Sequence, residues 1–216
     1  MASAAQTRLT ARKTPRQARA TVTLEAILEA TIQVLVAMGP TRLTTTRVAA
    51  RAGVSVGTMY QYFPNKQALL YAVTERYLDI VVDSVEQACR RQHGAPVGRM
   101  AEALVDAYWR ANIVRCDVTR ALYLVAAEVD IAALVESFSK RVEIATAAMF
   151  ASAPDAAFAD LAIVNHTLLT SLFGTVRSLF DRSLPKPWAC GVQQQLVSMS
   201  RSYLEAARTS SVSPHR

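Results

Sequence analysis

The stretch LTTTRVAARAGVSVGTMYQYFPNK, residues 43–66, decides how the rest of the chain is read. Thr44-Thr45-Thr46 offers a hydroxyl cap for a short helix from Arg47 to Ala52, with Val48, Ala49 and Ala52 facing inward. Gly53 ends that helix where a left-handed residue is wanted, and Val54 anchors the turn. Ser55 then caps a second short helix carrying Val56, Gly57, Thr58, Met59, Tyr60, Gln61 and Tyr62. Phe63-Pro64 breaks it, because the residue before a proline is disfavoured in helical backbone. Two short helices joined by a Gly-centred turn form a helix-turn-helix, whose second helix enters the major groove of DNA. The competing reading is an ordinary corner in a helical bundle. Against it, the second helix is polar and small on one face, where a core element would carry Leu or Ile, and it ends in two tyrosines able to reach phosphates.

Upstream, Leu24, Ile27, Leu28, Thr31, Leu35 and Met38 recur at three- and four-residue steps, which predicts a helix with Thr23 as its N-cap and Gly39-Pro40 as its stop. Residues 1–20 show no hydrophobic period and are expected to form a disordered basic arm, with a second disordered tail at 211–216. Residues 1–66 hold nine Lys+Arg against two Asp+Glu, whereas residues 67–216 hold fifteen of each, so the whole net charge of +7 lies in the first third. That asymmetry points to a polyanion partner for the N-terminal part alone. Arg8, Arg12, Lys13, Arg16 and Arg19 fit a solubilising tail as well as a DNA-contacting arm. Arg42, Arg47, Arg51 and Lys66 belong to the folded head and favour nucleic acid.

The composition is 51% hydrophobic with only 7 Gly and 8 Pro, and the abundant residues are helix formers, so the fold class expected is all-α. No apolar run approaches the roughly 20 residues that cross a bilayer, and no signal segment is seen, so no membrane association and a cytoplasmic location are expected. Cys89, Cys116 and Cys190 are odd in number and far apart, a spacing that suits neither a disulfide framework nor a metal site.

Residues 22–72 resemble the signature of the TetR/AcrR family of bacterial repressors: the Thr-rich lead-in, Ala49 and Ala52, the turn Ala52-Gly53-Val54-Ser55, then Gly57-Thr58, Tyr60, Tyr62-Phe63 and Lys66. The resemblance implies a three-helix DNA-binding domain over 21–66 and a helical effector-binding and dimerisation domain over 67–210. It places Thr45 and Thr46 on backbone phosphate at a helix N-terminus. Lys66 would clamp another phosphate. Tyr60 and Tyr62 take backbone and sugar contacts, while Ser55, Val56, Gly57, Thr58 and Gln61 lie at the DNA-facing surface. Gln61 can pair with adenine through its amide, and Val56 can pack on a thymine methyl.

A long helix is expected from Lys66 to about Arg91, followed by helices near 98–115, 118–128, 130–151, 155–182 and 188–208. In relatives the last two pair across a homodimer, and Leu168, Leu172, Val176 and Leu179 with Val192, Leu196, Met199 and Tyr203 form apolar stripes on them. The alternative is that both stripes cover their own subunit's core. Tyr108, Trp109, Tyr123, Phe138, Met149, Phe150, Asn165, His166 and Phe173 supply aromatic and polar material for a mostly apolar small-molecule pocket, with the pair Asn165-His166 singled out in an apolar helix.

Enzymatic readings find little support. The sequence lacks HExxH, Cys-rich metal spacing, GxSxG, GxGxxG and a P-loop, so neither a metal nor a cofactor is expected. An acid–base pair would have to come from Glu128, Asp130 or Glu136, which look like a solvated face. An architectural protein without an effector would share the head but would not need the aromatic-lined body. The function expected is a dimeric repressor that binds a palindromic double-stranded operator and is released by a small, mostly apolar effector.

Overall fold

The computed structural model describes residues 15–181 and 186–209, excepting the side chains at 15–18, 181, 186, 187 and 189. The described residues are overwhelmingly α-helical, in the order α1 (Pro15–Met38), α2 (Thr45–Ala52), α3 (Val56–Tyr62), α4 (Lys66–Arg91), α5 (Val97–Ile113), α6 (Cys116–Val125), α7 (Ala132–Ala151), α8 (Leu161–Asp181) and α9 (Lys186–Ala207). The chain divides into two compact units, Met1–Leu69 and Leu70–Arg216, so that α4 begins in the first and continues through the second.

In the first unit α1 packs on α2 and α2 on α3. Ile27, Leu35, Leu43, Val48 and Met59 are fully buried there, each contributing about 1.5–3 kcal/mol of transfer free energy as an upper estimate. The start of α1 corrects the sequence expectation. Thr23 is not a cap; it lies inside the helix and its hydroxyl donates to the Arg19 carbonyl at 2.9 Å. Residues 15–20 are helical rather than disordered. The reason is that Pro15 stands at the first helical position, where its fixed φ and missing N–H cost nothing, and Arg, Gln and Ala follow it. A helix can therefore begin without an apolar period. Residues 1–14 of the expected arm and the expected tail at 211–216 lie outside the described residues.

A second correction concerns Arg19–Met38, which is long and apolar enough by length and composition to cross a membrane. Its Ile27, Leu28, Val34 and Leu35 are instead buried as core.

The second unit is built around Val81, Val85, Met100, Leu104, Tyr108, Phe138, Val142, Phe150, Leu168, Leu172 and Val176. Arg141 of α7 ties that helix to α4 by reaching Asp79 at 2.9 Å, Asp83 at 3.2 Å and Glu86 at 3.0 Å, carboxylates spaced three or four residues apart on one face. Helix α8 begins at Leu161, not near 155 as expected. The residues before it do other work: the Ser152 hydroxyl accepts from Gly94 N–H at 2.9 Å, the Asp155 carboxylate from Val97 N–H at 2.8 Å, and the Ala157 carbonyl from Thr209 N–H at 2.8 Å. The Asp160 carboxylate accepts from Ile163 N–H at 3.0 Å and so caps α8.

The apolar stripes assigned to a dimer face are also corrected. Leu168, Leu172, Val176, Leu179 and Leu196 are buried within the single chain. Of the stripe expected on α9, Leu196 is buried and Val192 and Tyr203 are half-buried, while Met199 is exposed, on a row with Trp188, Gln195 and Ser202.

Candidate functional site

In the first unit, Thr44 caps α2 by accepting from Arg47 N–H at 3.3 Å. Gly53 closes α2 at φ 68°, where any other residue would meet steric cost, and Val54 N–H returns to the Ala49 carbonyl at 3.0 Å. Ser55 starts α3 by accepting from Thr58 N–H at 2.9 Å, and its hydroxyl pairs with that of Thr58 at 2.8 Å. Met59 and Phe63 are buried, fixing the rotation of α3. Turned outward as a consequence are Val56, 40% exposed, Tyr60, 52% exposed, and with them Ser55, Gly57 and Gln61. Thr58 is half-buried.

The residues expected at phosphates are held from both sides of the turn. The Thr45 and Tyr60 hydroxyls meet at 3.3 Å, joining the start of α2 to the exposed face of α3. Thr46 is exposed beside Thr45. Tyr62 is half-buried and donates to the Ala20 carbonyl of α1 at 3.4 Å, so its hydroxyl already holds the early turns of α1. Two arginines counted towards the basic head brace it internally: Arg51 Nε donates to Gln33 at 2.6 Å, and Arg47 to the Arg42 carbonyl at 2.6 Å. Lys66 opens α4 after Asn65, whose carboxamide accepts from Ala68 N–H at 2.8 Å. Asn65 is a cap-forming residue type directly after Pro64, so the sequence itself carries the signal for this helix start.

In the second unit a cavity of about 310 Å³ is enclosed by residues of α4 to α8. Tyr108, Tyr123, Phe138 and Phe173 line it. Phe173 is the centre of an aromatic cluster, 4.8 Å from the Tyr108 ring and 5.3 Å from the Phe138 ring, centroid to centroid, both tilted as the ring quadrupoles favour. A polar knot that sequence reasoning missed forms one wall. The Tyr77 hydroxyl bonds to the Thr119 hydroxyl and lies 3.4 Å from Asn112 Oδ1, while Thr119 donates to the Asn112 carbonyl at 2.7 Å. Burial pushes the Tyr77 phenol up to about 12, and burial likewise raises Tyr108 well above its ordinary value, so both are neutral hydrogen-bonding groups at physiological pH. Arg177 also lines the cavity, its guanidinium 5.5 Å from the centroid of the Tyr123 ring.

Other residues expected at the pocket are placed elsewhere. Trp109, Met149 and Phe150 are buried in the core and do not line this cavity. Asn165 and His166 fasten α8 to α7: Asn165 Nδ2 donates to the Glu143 carbonyl at 3.1 Å, and His166 Nδ1 lies 2.9 Å from the Glu143 carboxylate. None of Glu128, Asp130 and Glu136 lines the cavity, and Asp130 accepts from Ala132 N–H at 3.0 Å.

Two protein-family descriptions match the chain: "Bacterial regulatory proteins, tetR family" over residues 27–73 and "Tetracyclin repressor-like, C-terminal domain" over residues 96–204. No curated protein sequence matches it. Solved structures share the fold at low identity. A bacterial regulatory protein in the tetR family from Rhodococcus RHA1 aligns with a TM-score of 0.67 at 16% identity, covering 87% of this chain and 98% of that one. A TetR family transcription regulator from Marinobacter aquaeolei VT8 gives 0.64 at 17%, covering 87% and 98%. The transcriptional regulator FadR from Bacillus subtilis, in complex with stearoyl-CoA, gives 0.59 at 18%, covering 86% and 98%.

Proposed function

Because the chain belongs to the TetR family of bacterial regulatory proteins, we propose that it is a dimeric repressor of a palindromic operator, released when a small, mostly apolar effector enters the cavity of its second unit. The observation that carries this is the outward row Ser55, Val56, Gly57, Tyr60 and Gln61, on a short helix whose other side is fixed by buried Met59. Gln61 pairs with a base edge, Val56 packs on a thymine methyl, and Thr45, Thr46, Tyr60 and Lys66 grip phosphates. Tyr62 holds α1 and contributes to the backbone grip through its ring edge. A twofold dimer matches two half-sites and multiplies the affinity of one head. The complex of the Bacillus subtilis relative with stearoyl-CoA supports a small-molecule role for this fold.

Release runs through α4. Thr74, Tyr77, Leu78 and Val81 of that helix line the cavity, and the same helix starts at Lys66. A ligand that favours one position of α4 over another by roughly 3–5 kcal/mol shifts the population far enough to empty the operator. The test is selection of the purified protein against random duplexes at near-physiological salt, with Tyr60→Ala in parallel, followed by effector titration on the enriched site. A palindrome enriched by the parent and not by the variant is the expected result. Enrichment of no sequence, or an effector that binds tightly without changing operator affinity, contradicts the proposal.

A further inference from the structure

The polar knot in the cavity wall holds more acceptors than protons. Tyr77, Asn112 and Thr119 all line the cavity. Thr119 has one hydroxyl proton, for which two carbonyls compete, that of Asn112 at 2.7 Å and that of Arg115 at 3.2 Å. The Asn112 carbonyl lies in the last turn of α5, where helical carbonyls lack an N–H partner, and the shorter bond supplies it with one. Thr119 therefore has no proton left for Tyr77, so the bond between their hydroxyls is donated by Tyr77. Burial keeps the phenol protonated for that bond, pushing it up to about 12. The other groups within reach of the Tyr77 hydroxyl are Asn112 Oδ1 at 3.4 Å and the Ala111 carbonyl at 3.5 Å, both acceptors. The Asn112 carboxamide cannot turn to offer N–H instead, because its Nδ2 donates to the Tyr108 carbonyl at 2.8 Å. With the Tyr77 proton committed to Thr119, Tyr77 Oη and Asn112 Oδ1 form a pair of acceptors 3.4 Å apart that awaits a donor. Asn112 stands one helical turn from Tyr108, whose ring packs on Phe173 in the aromatic part of the wall.

We propose that the cavity takes a compact aromatic hydrogen-bond donor, a phenol or an N–H heterocycle, with its O–H or N–H on Tyr77 Oη and Asn112 Oδ1 and its ring against Tyr108, Phe138 and Phe173. This rests on reading the cavity as the effector site. An ether or ketone oxygen in the same place would meet two lone-pair groups with no proton to share, and an acceptor buried without a donor costs binding. Size agrees, because about 310 Å³ is at the low end of small-molecule sites, which run from roughly 300 to 1,000 Å³.

The test is calorimetric titration of the full chain with two matched pairs, 2-naphthol against 2-methoxynaphthalene and indole against 1-methylindole. Methylation adds apolar area, which by itself tightens binding in a mostly apolar cavity, so a preference for the unmethylated member isolates the donated bond. At least one donor should bind about tenfold tighter than its methylated partner. Tyr77→Phe removes one acceptor and should reduce that preference, although it also makes room for a methyl group. Thr119→Val separates the two effects, because it keeps the Tyr77 hydroxyl and the size of the site and frees only the Tyr77 proton. That proton then turns to Asn112 Oδ1 or to an ether oxygen, so the preference should narrow. Parity within both pairs in the parent, tighter binding by the methylated members, binding by neither donor, or a preference unchanged in Thr119→Val overturns the proposal. Operator affinity measured in the same mixtures separates this from the effector reading. Donor preference without operator release leaves the donor site standing and removes its regulatory role, whereas release by the methylated members alone does the reverse.

Discussion

Gly57 sits on the outward face of α3, and a Cβ built there would meet only Ser55 Oγ at 3.7 Å, an ordinary contact. Nothing inside the chain therefore requires glycine at this position. Alanine is the better helix former by up to about 1 kcal/mol. Gly57→Ala should leave the thermal midpoint unchanged or raised, yet weaken operator binding by about tenfold, because the added methyl stands where the groove wall must approach. Normal operator affinity in the variant, measured by fluorescence anisotropy, would remove Gly57 from the interface. Gln61→Ala and Lys66→Ala should separate two kinds of contact. The first should blur sequence preference, and the second should weaken all duplexes evenly and lower the salt slope by about one. Equal effects on cognate and random DNA would contradict that division. Buried acids give a third expectation. Burial moves Tyr77 from 10.0 to about 12 and the Cys89 thiol from 9.0 to about 12, so the unfolded chain loses these protons first as pH rises. Stability is then full below the ordinary values and declines as pH climbs towards the folded ones. Denaturant titrations between about pH 9 and 11 should show that decline, and Tyr77→Phe should make it shallower. Single residues of the head were readable from sequence because caps and turns demand particular side chains at fixed offsets. Pocket residues were readable only in part, since Tyr108, Tyr123, Phe138 and Phe173 line the cavity but Trp109 does not: Tyr108 and Trp109 are neighbours in α5 and both buried, and only the packing of α6 and α8 decides that the first ring lines the cavity and the second does not.

Helix boundaries were legible where a helix is stopped by its own residues and obscure where a partner decides. Gly39 and Gly53 adopt positive φ at the ends predicted for α1 and α2. The early start of α1 and the late start of α8 were hidden, the first because Pro15 to Ala20 carries no apolar period, the second because Ser152 to Asp160 spends its polar groups on the α4–α5 turn and the C-terminal end of α9. The link between α7 and α4 through Arg141 was equally invisible, since its partners lie more than fifty positions away. Its three carboxylate contacts are partly exposed, so together they contribute about 1 kcal/mol and are weakened by salt. Removing the guanidinium also leaves Asp79, Asp83 and Glu86 repelling one another along α4. Arg141→Met should lower the thermal midpoint at low ionic strength and lose most of that deficit in about 1 M salt. A deficit that is unchanged by salt would mean that Arg141 acts through packing of its stem instead.

At the level of the whole molecule the division into a DNA-reading unit and a larger helical unit followed from charge location and from the motif at 43–66, but the surface proposed to pair two copies does not follow from apolar periodicity alone. A stripe of Leu and Val at helical spacing is what any core-facing helix shows, and Leu168, Leu172 and Val176 face their own core. A pairing surface must be apolar where the single chain leaves it open. On α9 that condition is met by Trp188, 64% exposed, and Met199, 44% exposed, with the small Gly191 and Ser202 on the same side, and on α8 by Ile163, 63% exposed. Small residues let helix backbones approach, and an isologous interface brings each residue near its own symmetry mate, so one introduced charge is met by a second of the same sign. Met199→Glu should therefore yield a folded monomer with unchanged helical content by circular dichroism, half the parental mass by light scattering, and affinity for a single half-site only. Val135→Glu, at an exposed apolar position on α7, serves as the control and should remain dimeric. If Met199→Glu stays dimeric while Val135→Glu dissociates, the pairing surface lies on the α7 side of the molecule, and the geometry proposed for releasing the operator would have to be rebuilt around it.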